Sequence, residues 1–244
     1  MCATSSTRLH PSTLRAVAPD IWTSAMPFAK AGMELGARMT IVRLPDDDLA
    51  GGGLWIHSPI ELSPLLRPQI DELGEVTHIV SPFHHHYAHL AQWAQTYPNA
   101  TVWGAPKLDA ATAQTKLHDT LDDTPRGAWS RVLDQLVVRG NTLDNEVVFF
   151  HIPSQTLILT DLCFNISSRN ASLMTKVAAK SLGVLDSFGP SRAFKIASQD
   201  KDALRASIRT ILDWDFDRII ISHGEGIERN GKAQFRSAFA WLFS

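Results

Sequence analysis

The sequence predicts an α/β fold in which two β-sheets pack face to face with helices on their outer surfaces. Two patterns indicate this fold: pairs of strand-like runs joined by short turns, and single strand-like runs followed by amphipathic helices. Their mixture along one chain is typical of layered domains. With 244 residues, and 44% of them apolar, the chain is long enough to form one domain with a large core.

In the first half of the chain, the pattern is a hairpin followed by strand–helix units. We expect residues 1–18 to form a disordered tail and residues 19–244 to form the domain. A glycine-rich turn between two β-rich runs predicts the hairpin, and Gly74 ends an apolar stripe of helical spacing. The predicted elements are strand 39–44, strand 54–57, helix 62–73, strand 76–80, helix 88–97 and strand 100–103.

The second half contains another hairpin and another strand between helices. A turn at Pro153 and Ser154 separates two apolar runs and predicts this hairpin. The predicted elements are strands 133–138, 146–151 and 156–160, helix 201–214, strand 218–222 and helix 232–243. Segments 22–38, 105–130 and 165–195 are predicted to be loops that cover the site. Their aromatic residues would line a partly apolar cleft: Trp22, Phe28, Trp129, Phe164 and Phe188.

Composition excludes several classes of protein. The net charge is -2 with acids and bases mixed along the chain, so no nucleic-acid partner is expected. No apolar run approaches the ~18 residues that cross a bilayer, so no membrane partner is expected either. The two cysteines do not form a disulfide framework, which predicts a reducing, cytoplasmic location. The sequence gives no prediction of oligomeric state.

A histidine cluster follows the predicted strand 76–80 directly. His84, His86 and His89 have the spacing His-x-His-x-x-His, which in a strand-to-helix turn can bring three imidazoles toward one point. Neutral imidazole is the commonest side-chain metal ligand, and zinc, iron and copper all accept it. The sequence therefore predicts a metal site at this turn. His85 does not fit the spacing, and Tyr87 is interpreted either as a substrate partner or as a core residue.

Two later strand ends carry further candidate ligands. Asp161 follows one buried apolar run, and His223 follows another in Ser222-His223-Gly224. A carboxylate and a histidine at the ends of neighbouring strands can reach the same edge of a sheet, and one oxygen of Asp161 could bridge two ions. Glu225, close to His223, is interpreted either as a carboxylate that orients an imidazole or as a surface acid.

Together these motifs resemble the metallo-β-lactamase superfamily. Its first metal motif is His-x-His-x-Asp-His, and the chain matches its histidines, with Ala88 in the position of the aspartate. Thr160-Asp161 is similar to the superfamily's glycine–aspartate strand end, and Ser222-His223-Gly224 to its closing glycine–histidine strand end. The resemblance runs from about residue 20 to the end of the chain. It implies an αββα four-layer sandwich with metals at the sheet edges.

The chain departs from the superfamily pattern at three positions. Ala88 replaces the motif aspartate, Asn141 stands where the middle histidine belongs, and His57 falls on the early aspartate. Each of the two usual metal positions is thus one ligand short. The whole chain most resembles an uncharacterised branch, a domain of unknown function (4336-type), which brings no known reaction. That closer match rests on the phrases at 54–59, 146–151 and 240–242.

The resemblance implies a metal-dependent hydrolase that uses a metal-activated water on a small ester, amide, thioester or phosphoester. The implied metal ligands are His84, His86, His89, Asp161 and His223, and Asp161 is the candidate base. Surrounding positions that would contact these ligands or the substrate are His57, His85, Tyr87, Asn141 and Glu225. One zinc ion is favoured over two, with iron or manganese as alternatives. Two other functions stay open: a degenerate, non-catalytic protein that binds a ligand or partner, and a non-haem iron redox protein.

Overall fold

The computed structural model describes residues 13–46, 51–142, 145–169 and 171–243, and it shows the predicted pair of stacked sheets between helices. The strands are β1 (Arg15–Ala18), β2 (Ile21–Met26), β3 (Ala29–Lys30), β4 (Met33–Glu34), β5 (Ala37–Arg43), β6 (Leu54–His57), β7 (Val76–Ser81), β8 (Thr101–Gly104), β9 (Asp119–Thr120), β10 (Leu133–Val137), β11 (Val147–His151), β12 (Thr156–Ile158) and β13 (Arg218–Ile220). The helices are α1 (Arg67–Leu73), α2 (Leu90–Thr96), α3 (Ala110–Ala113), α4 (Leu173–Leu182), α5 (Arg192–Ala197), α6 (Lys201–Asp213) and α7 (Gly231–Ala238), and a 3-10 turn covers Ala240–Leu242.

The first sheet has seven strands in the order β1-β2-β5-β6-β7-β8-β9. Its pairs are antiparallel as far as β6 and parallel from β6 to β9. The second sheet has four strands in the order β10-β11-β12-β13, and only its last pair is parallel. Because β12 and β13 run in the same direction, their carboxyl ends meet at one edge, as the sequence predicts.

Three apolar layers hold the sheets and helices together. The inner layer lies between the two sheets and contains Trp55, Trp129 and Phe149, all fully buried. A second layer packs α1 and α2 on the first sheet, and a third packs α6 and α7 on the second sheet. This is the helix–sheet–sheet–helix order of an αββα sandwich. None of the helices in the described part of the chain has the length and apolar character to cross a membrane.

The start of the domain and of one helix differ from prediction. Arg15–Ala18 is not part of a tail, because it pairs antiparallel with β2 and Val17 and Ala18 pack on the inner layer. The rest of the predicted tail, residues 1–12, lies outside the described residues. The helix predicted over 62–73 begins at Arg67, with Pro68 in its first turn. Proline fits the first turn of a helix, because the N–H that it lacks would have no partner there, so Pro68 agrees with a start at Arg67.

The predicted loops contain regular structure. Segment 22–38 includes most of β2 and the small β3–β4 hairpin, and segment 165–195 includes α4 and the start of α5. α4 was missed because its apolar residues do not follow a buried stripe; Leu173, Met174 and Val177 are exposed. Trp129 does not line a cleft, since it is fully buried between the sheets. Segment 105–130 is a loop, as predicted, apart from the short helix α3 and the two-residue strand β9.

A buried histidine in the β11–β12 hairpin predicts acid sensitivity. His151 is 1% exposed, and its Nδ1 lies 2.6 Å from Ser154 Oγ. Burial lowers the pKa of His151 to about 4. The unfolded chain takes up this proton near pH 6.5 and the folded chain only near pH 4. Stability from this residue is therefore fully present above pH 6.5 and is lost as the pH falls toward 4.

We expect His151→Asn to reduce the loss of unfolding free energy between pH 7 and pH 4.5 by about 2 kcal/mol. Asparagine can keep the bond to Ser154 without titrating. Urea unfolding at several pH values measures the slope. Ser154→Ala is the control, because it removes the partner but keeps the imidazole, so its slope should match the wild type. An unchanged slope in His151→Asn would assign the acid sensitivity to other groups.

Candidate functional site

Three of the predicted ligands converge at the sheet edge. His86, Asp161 and His223 each offer one donor atom, and these atoms lie within 4.8 Å of one another. Asp161 Oδ1 is 3.2 Å from His86 Nε2 and 3.1 Å from His223 Nε2. The two imidazoles come from different sheets, since His86 follows β7 and His223 follows β13. The site therefore spans the gap between the sheets at their carboxyl ends.

His86 is held by the turn that ends β7. The Ser81 hydroxyl donates to the carbonyls of Phe83 and His86, and Phe83 is buried, which anchors the turn. On the ring itself, Nδ1 lies 2.7 Å from the Ser58 hydroxyl. A hydroxyl can either donate or accept, so Ser58 can support whichever tautomer leaves Nε2 directed at Asp161. Sequence reasoning missed Ser58.

Asp161 is held through its backbone by Glu146. The Glu146 carboxylate, on a residue 2% exposed, accepts hydrogen bonds from the backbone N–H groups of Thr160, Asp161 and Leu162 at 2.5 to 2.7 Å. Burial raises the pKa of Glu146 to about 7, although these hydrogen bonds act in the opposite direction. Sequence reasoning placed Glu146 in a strand and assigned it no role at the site.

His223 has the most enclosed ring of the three. Its Nδ1 donates to the carbonyl of Gly36, which leaves Nε2 facing Asp161. Phe28 and Phe164 stack on the ring at centroid distances of 5.7 and 5.6 Å, as expected for two residues predicted to line the cleft. Gly224 follows with φ +92°, and a Cβ there would lie 2.1 Å from the carbonyl oxygen of Asn165. Glycine is therefore required directly after this histidine.

Arg38, on β5, ties the His223 segment to the first sheet. Its guanidinium donates to the carbonyl of Ile221 and, at 2.9 Å, to the carbonyl of Gly224, so it contacts the chain on both sides of the histidine. Burial lowers the pKa of Arg38 to about 10, which leaves it charged at neutral pH. Arg38 is a further residue of the site that sequence reasoning missed.

The electrostatics keep the central carboxylate ionised. Burial by itself would raise the pKa of Asp161, but His86 and His223 outweigh it and hold the pKa of that carboxyl well below its usual range. For His223, burial acts to lower the pKa, but the hydrogen bond and charge of Asp161 raise it overall. A carboxylate that remains charged beside two imidazole nitrogens is suited to bind a cation.

The other histidines of the cluster are not brought into this group. The His84 ring packs on Phe83 and His85, and His85 is exposed. His89 immediately precedes α2 and lies where the charge of Glu61 acts on it, rather than that of Asp161. Burial lowers the pKa of each of the three, so all favour the neutral form. Of the three histidines in the motif, His86 is the one whose ring nitrogen faces Asp161 in the described structure.

The substituted family positions do not supply donors to the group. The Asn141 amide donates to the carbonyl of Phe194 at 3.0 Å and to Ser198 Oγ at 3.2 Å, so it faces α5. Ala88 is exposed. His57 is 1% exposed between the sheets, stacked on Trp55, and burial lowers its pKa to about 3. Neither ring nitrogen of His57 has a hydrogen-bond partner in the described part of the chain.

Two further candidates lie at the periphery. Tyr87 is half-buried and packs on the layer between the first sheet and its helices, which agrees with a core role. Glu225 is exposed, and its charge acts on Arg38, so it agrees with a surface acid that lies close to the His223 segment.

One family matches the greater part of the chain. Residues 19–187 match the family described as Domain of unknown function (DUF4336). None of the curated proteins matches the chain.

Several solved structures are similar over nearly the whole chain. A metallo-β-lactamase from Erythrobacter litoralis with β-mercaptoethanol in its active site is 13% identical, covers 96% of this chain and 99% of its own, and gives a TM-score of 0.63. The mono-zinc form of FIM-1 from Pseudomonas aeruginosa is 14% identical, with 96% and 97% covered and a TM-score of 0.61. A metallo-β-lactamase from Pontibacter korlensis is 14% identical, with 93% and 98% covered and a TM-score of 0.58. Identities this low establish the fold alone, which is the αββα sandwich that the sequence resemblance implies.

Proposed function

This chain belongs to the family described as Domain of unknown function (DUF4336), and from its metallo-β-lactamase fold and its site we propose that it is a metal-dependent hydrolase. The substrate class we infer is a small ester, amide, thioester or phosphoester, and the location we infer is cytoplasmic. The observation that carries the proposal is the convergence of His86, Asp161 and His223 at the sheet edge.

The donor set fits one metal ion. Two imidazoles and one carboxylate are the protein ligands of several catalytic zinc sites, in which a further position stays open for water or substrate. Gly36 accepts from Nδ1 of His223, so Nε2 is the ring nitrogen that would bind a cation, after it loses the proton that it shares with Asp161. Two fully ligated ions would need donors from positions 88 and 141, but alanine has none and the Asn141 amide contacts α5. We therefore propose one zinc ion, with manganese or iron as alternatives, as in the mono-zinc form of FIM-1.

The chain's own residues would bind the ion, orient the attacking water and cover one side of the site. Zinc held by these residues would act as a Lewis acid, which lowers the pKa of a water toward about 7 and polarises the oxygen under attack. Asp161 meets both imidazoles through Oδ1, so we assign Oδ2 to orient the attacking water by accepting a hydrogen bond from it. The pKa of this carboxyl is held too low for an efficient general base, which corrects the role that the sequence assigned to it. Phe28 and Phe164 cover the faces of His223 and exclude water from that side. Phe28 is 40% exposed, so its outer part can contact an apolar portion of a small substrate.

Elemental analysis and hydrolysis assays test the proposal together. We expect about one equivalent of zinc per purified chain, and hydrolysis of at least one chromogenic ester, thioester or phosphoester. A chelator should abolish turnover, and added zinc or manganese should restore it. Protein that takes up neither zinc, manganese nor iron would contradict the proposal and favour the non-catalytic alternative. Metal uptake without turnover of any substrate would support the proposed metal site but contradict the proposed hydrolase activity.

The donor set also gives specific support to the iron alternative. Two histidines and one carboxylate with open positions form the ligand set of non-haem iron(II) oxygenases. In this chain the same three residues supply that set: His86, Asp161 and His223. Iron as the dominant metal after expression in medium with equal zinc and iron, together with oxygen consumption, would favour this function over hydrolysis. Zinc as the dominant metal would count against it.

A further inference from the structure

Glu146 carries a buried carboxylate immediately before β11. Its Oε1 accepts from the backbone N–H of Thr160 at 2.5 Å, and its Oε2 accepts from those of Asp161 and Leu162, both at 2.7 Å. Three consecutive peptide N–H groups therefore point at one side chain. All three lie just beyond β12, whose last sheet contact is from Leu159 N–H to the carbonyl of Ile220. Beyond Leu159, the Glu146 carboxylate supplies the hydrogen-bond acceptors that backbone carbonyls supply within the sheet.

This arrangement has an electrostatic cost that only the N–H groups offset. A carboxylate buried without partners is strongly unfavourable, and a cation usually compensates it. In the part of the chain that the structure describes, no lysine or arginine forms an ion pair with Glu146. Asp161 itself is a second anion nearby. Three converging N–H groups need a side chain with two acceptor oxygens and no donor, which a carboxylate provides and an amide does not. Glu146 is therefore matched to the backbone of residues 160–162.

We propose that Glu146 is a positioning residue that fixes the peptide planes of residues 160–162 and thereby holds the Asp161 side chain between the two imidazoles. The three hydrogen bonds from backbone N–H groups to Glu146 set the direction in which the chain leaves β12. Asp161 is the middle residue of the three donors. Its Oδ1 then lies 3.2 Å from His86 and 3.1 Å from His223, a separation that one tilted peptide would change. Glu146 touches none of the donor atoms. Its effect on metal affinity rests on the proposed function, but its effect on the position of Asp161 does not.

The test uses Glu146→Gln, which keeps the size of the side chain but replaces one acceptor oxygen by an N–H₂ donor. One or two of the three backbone donors would then face another donor. Titration of the metal-free protein with cobalt(II) reports both affinity and, through its visible absorption bands, ligand geometry. We expect Glu146→Gln to weaken cobalt binding ~10–100-fold, the usual effect of removing a group that orients a ligand, and to shift the bands. Glu146→Asp keeps the charge and should give an intermediate loss.

Gln135→Leu is the matched control. Gln135 is a buried polar residue of the neighbouring strand β10, and it bonds to Trp129 and to the carbonyl of Asp122. We expect this variant to lose stability but to keep the cobalt affinity and spectrum of the wild type. Wild-type affinity and spectrum in Glu146→Gln would overturn the proposal, since a merely structural residue behaves in that way.

Hydrogen exchange of the metal-free wild type tests the role of Glu146 separately from the hydrolase proposal. It needs no variant, so a substitution that prevents folding cannot affect it. Hydrogen exchange in the wild type should show the amides of Thr160, Asp161 and Leu162 to be protected, although they lie outside any strand. Rapid exchange at all three would overturn the role of Glu146 even if metal binds. Protected amides in a protein that binds no metal would overturn the proposed function and retain Glu146 as the residue that positions Asp161.

Discussion

Asp161→Asn is expected to remove metal binding almost completely. Asp161 is the one carboxylate in the converging group, and both imidazoles approach the same oxygen, Oδ1. The asparagine side chain has the same size but no negative charge. Its NH2 group is a hydrogen-bond donor in the place of one of the two acceptor oxygens of the carboxylate. Loss of an outer, orienting partner costs ~10–100-fold in metal affinity. Loss of the charged ligand itself should exceed ~100-fold, together with all metal-dependent turnover.

Calorimetric titration of metal-free protein with zinc measures this effect. Asp134→Asn is a matched control, since Asp134 lies on β10 of the same sheet and bonds to Trp214 instead of the site. The control carries the same change of charge and should bind zinc as the wild type does. Zinc affinity within ~10-fold of the wild type in Asp161→Asn would show that the ion, if any, is held elsewhere, and the proposed function would fall with it.

The layers of the fold follow from local patterns in the sequence. Val76–Ser81 and Thr156–Ile158 are rich in β-branched and aliphatic residues and have polar residues after them, so strands could be predicted and the polar residues placed at their ends. Their parallel neighbours also followed, because a strand–helix–strand order requires a crossover. The edge strand β1 did not follow, since Arg15–Ala18 is at most partly buried and shows no apolar alternation. Its pairing with β2 is a local hairpin across Pro19 and Asp20. So short a strand has too little pattern to be distinguished from a tail.

The site was predicted less completely than the fold, for a reason of geometry. Chain order places histidines and an aspartate at three strand ends, but the direction of a side chain in a tight turn depends on the backbone of that turn. The Ser81 hydroxyl and buried Phe83 set this direction for His86. Such supporting residues resemble ordinary strand and core positions in sequence. Ser58 and Glu146 do lie within two of the phrases that carry the closer family resemblance, which was the one available signal.

His86→Ala is expected to lower zinc affinity by more than ~100-fold, whereas His84→Ala should lower it by less than ~10-fold. The two residues belong to the same turn and to the same family motif, and the motif alone assigns both as ligands. The structure separates them, because His86 Nε2 faces Asp161 while the ring of His84 packs against Phe83 and His85. Zinc titration of both variants at one pH gives the comparison directly.

The pair serves as its own control, since each variant removes one imidazole from the same short segment. Equal losses of more than ~100-fold in both would mean that the turn rearranges when the ion binds and directs His84 Nε2 to it. That outcome would restore the motif ligands and increase the donor set from three to four. Unequal losses in the expected direction would instead mean that the turn is already in its metal-binding conformation. Since the Ser81, Phe83 and Ser58 contacts all act on the backbone or ring of His86, they favour this second result.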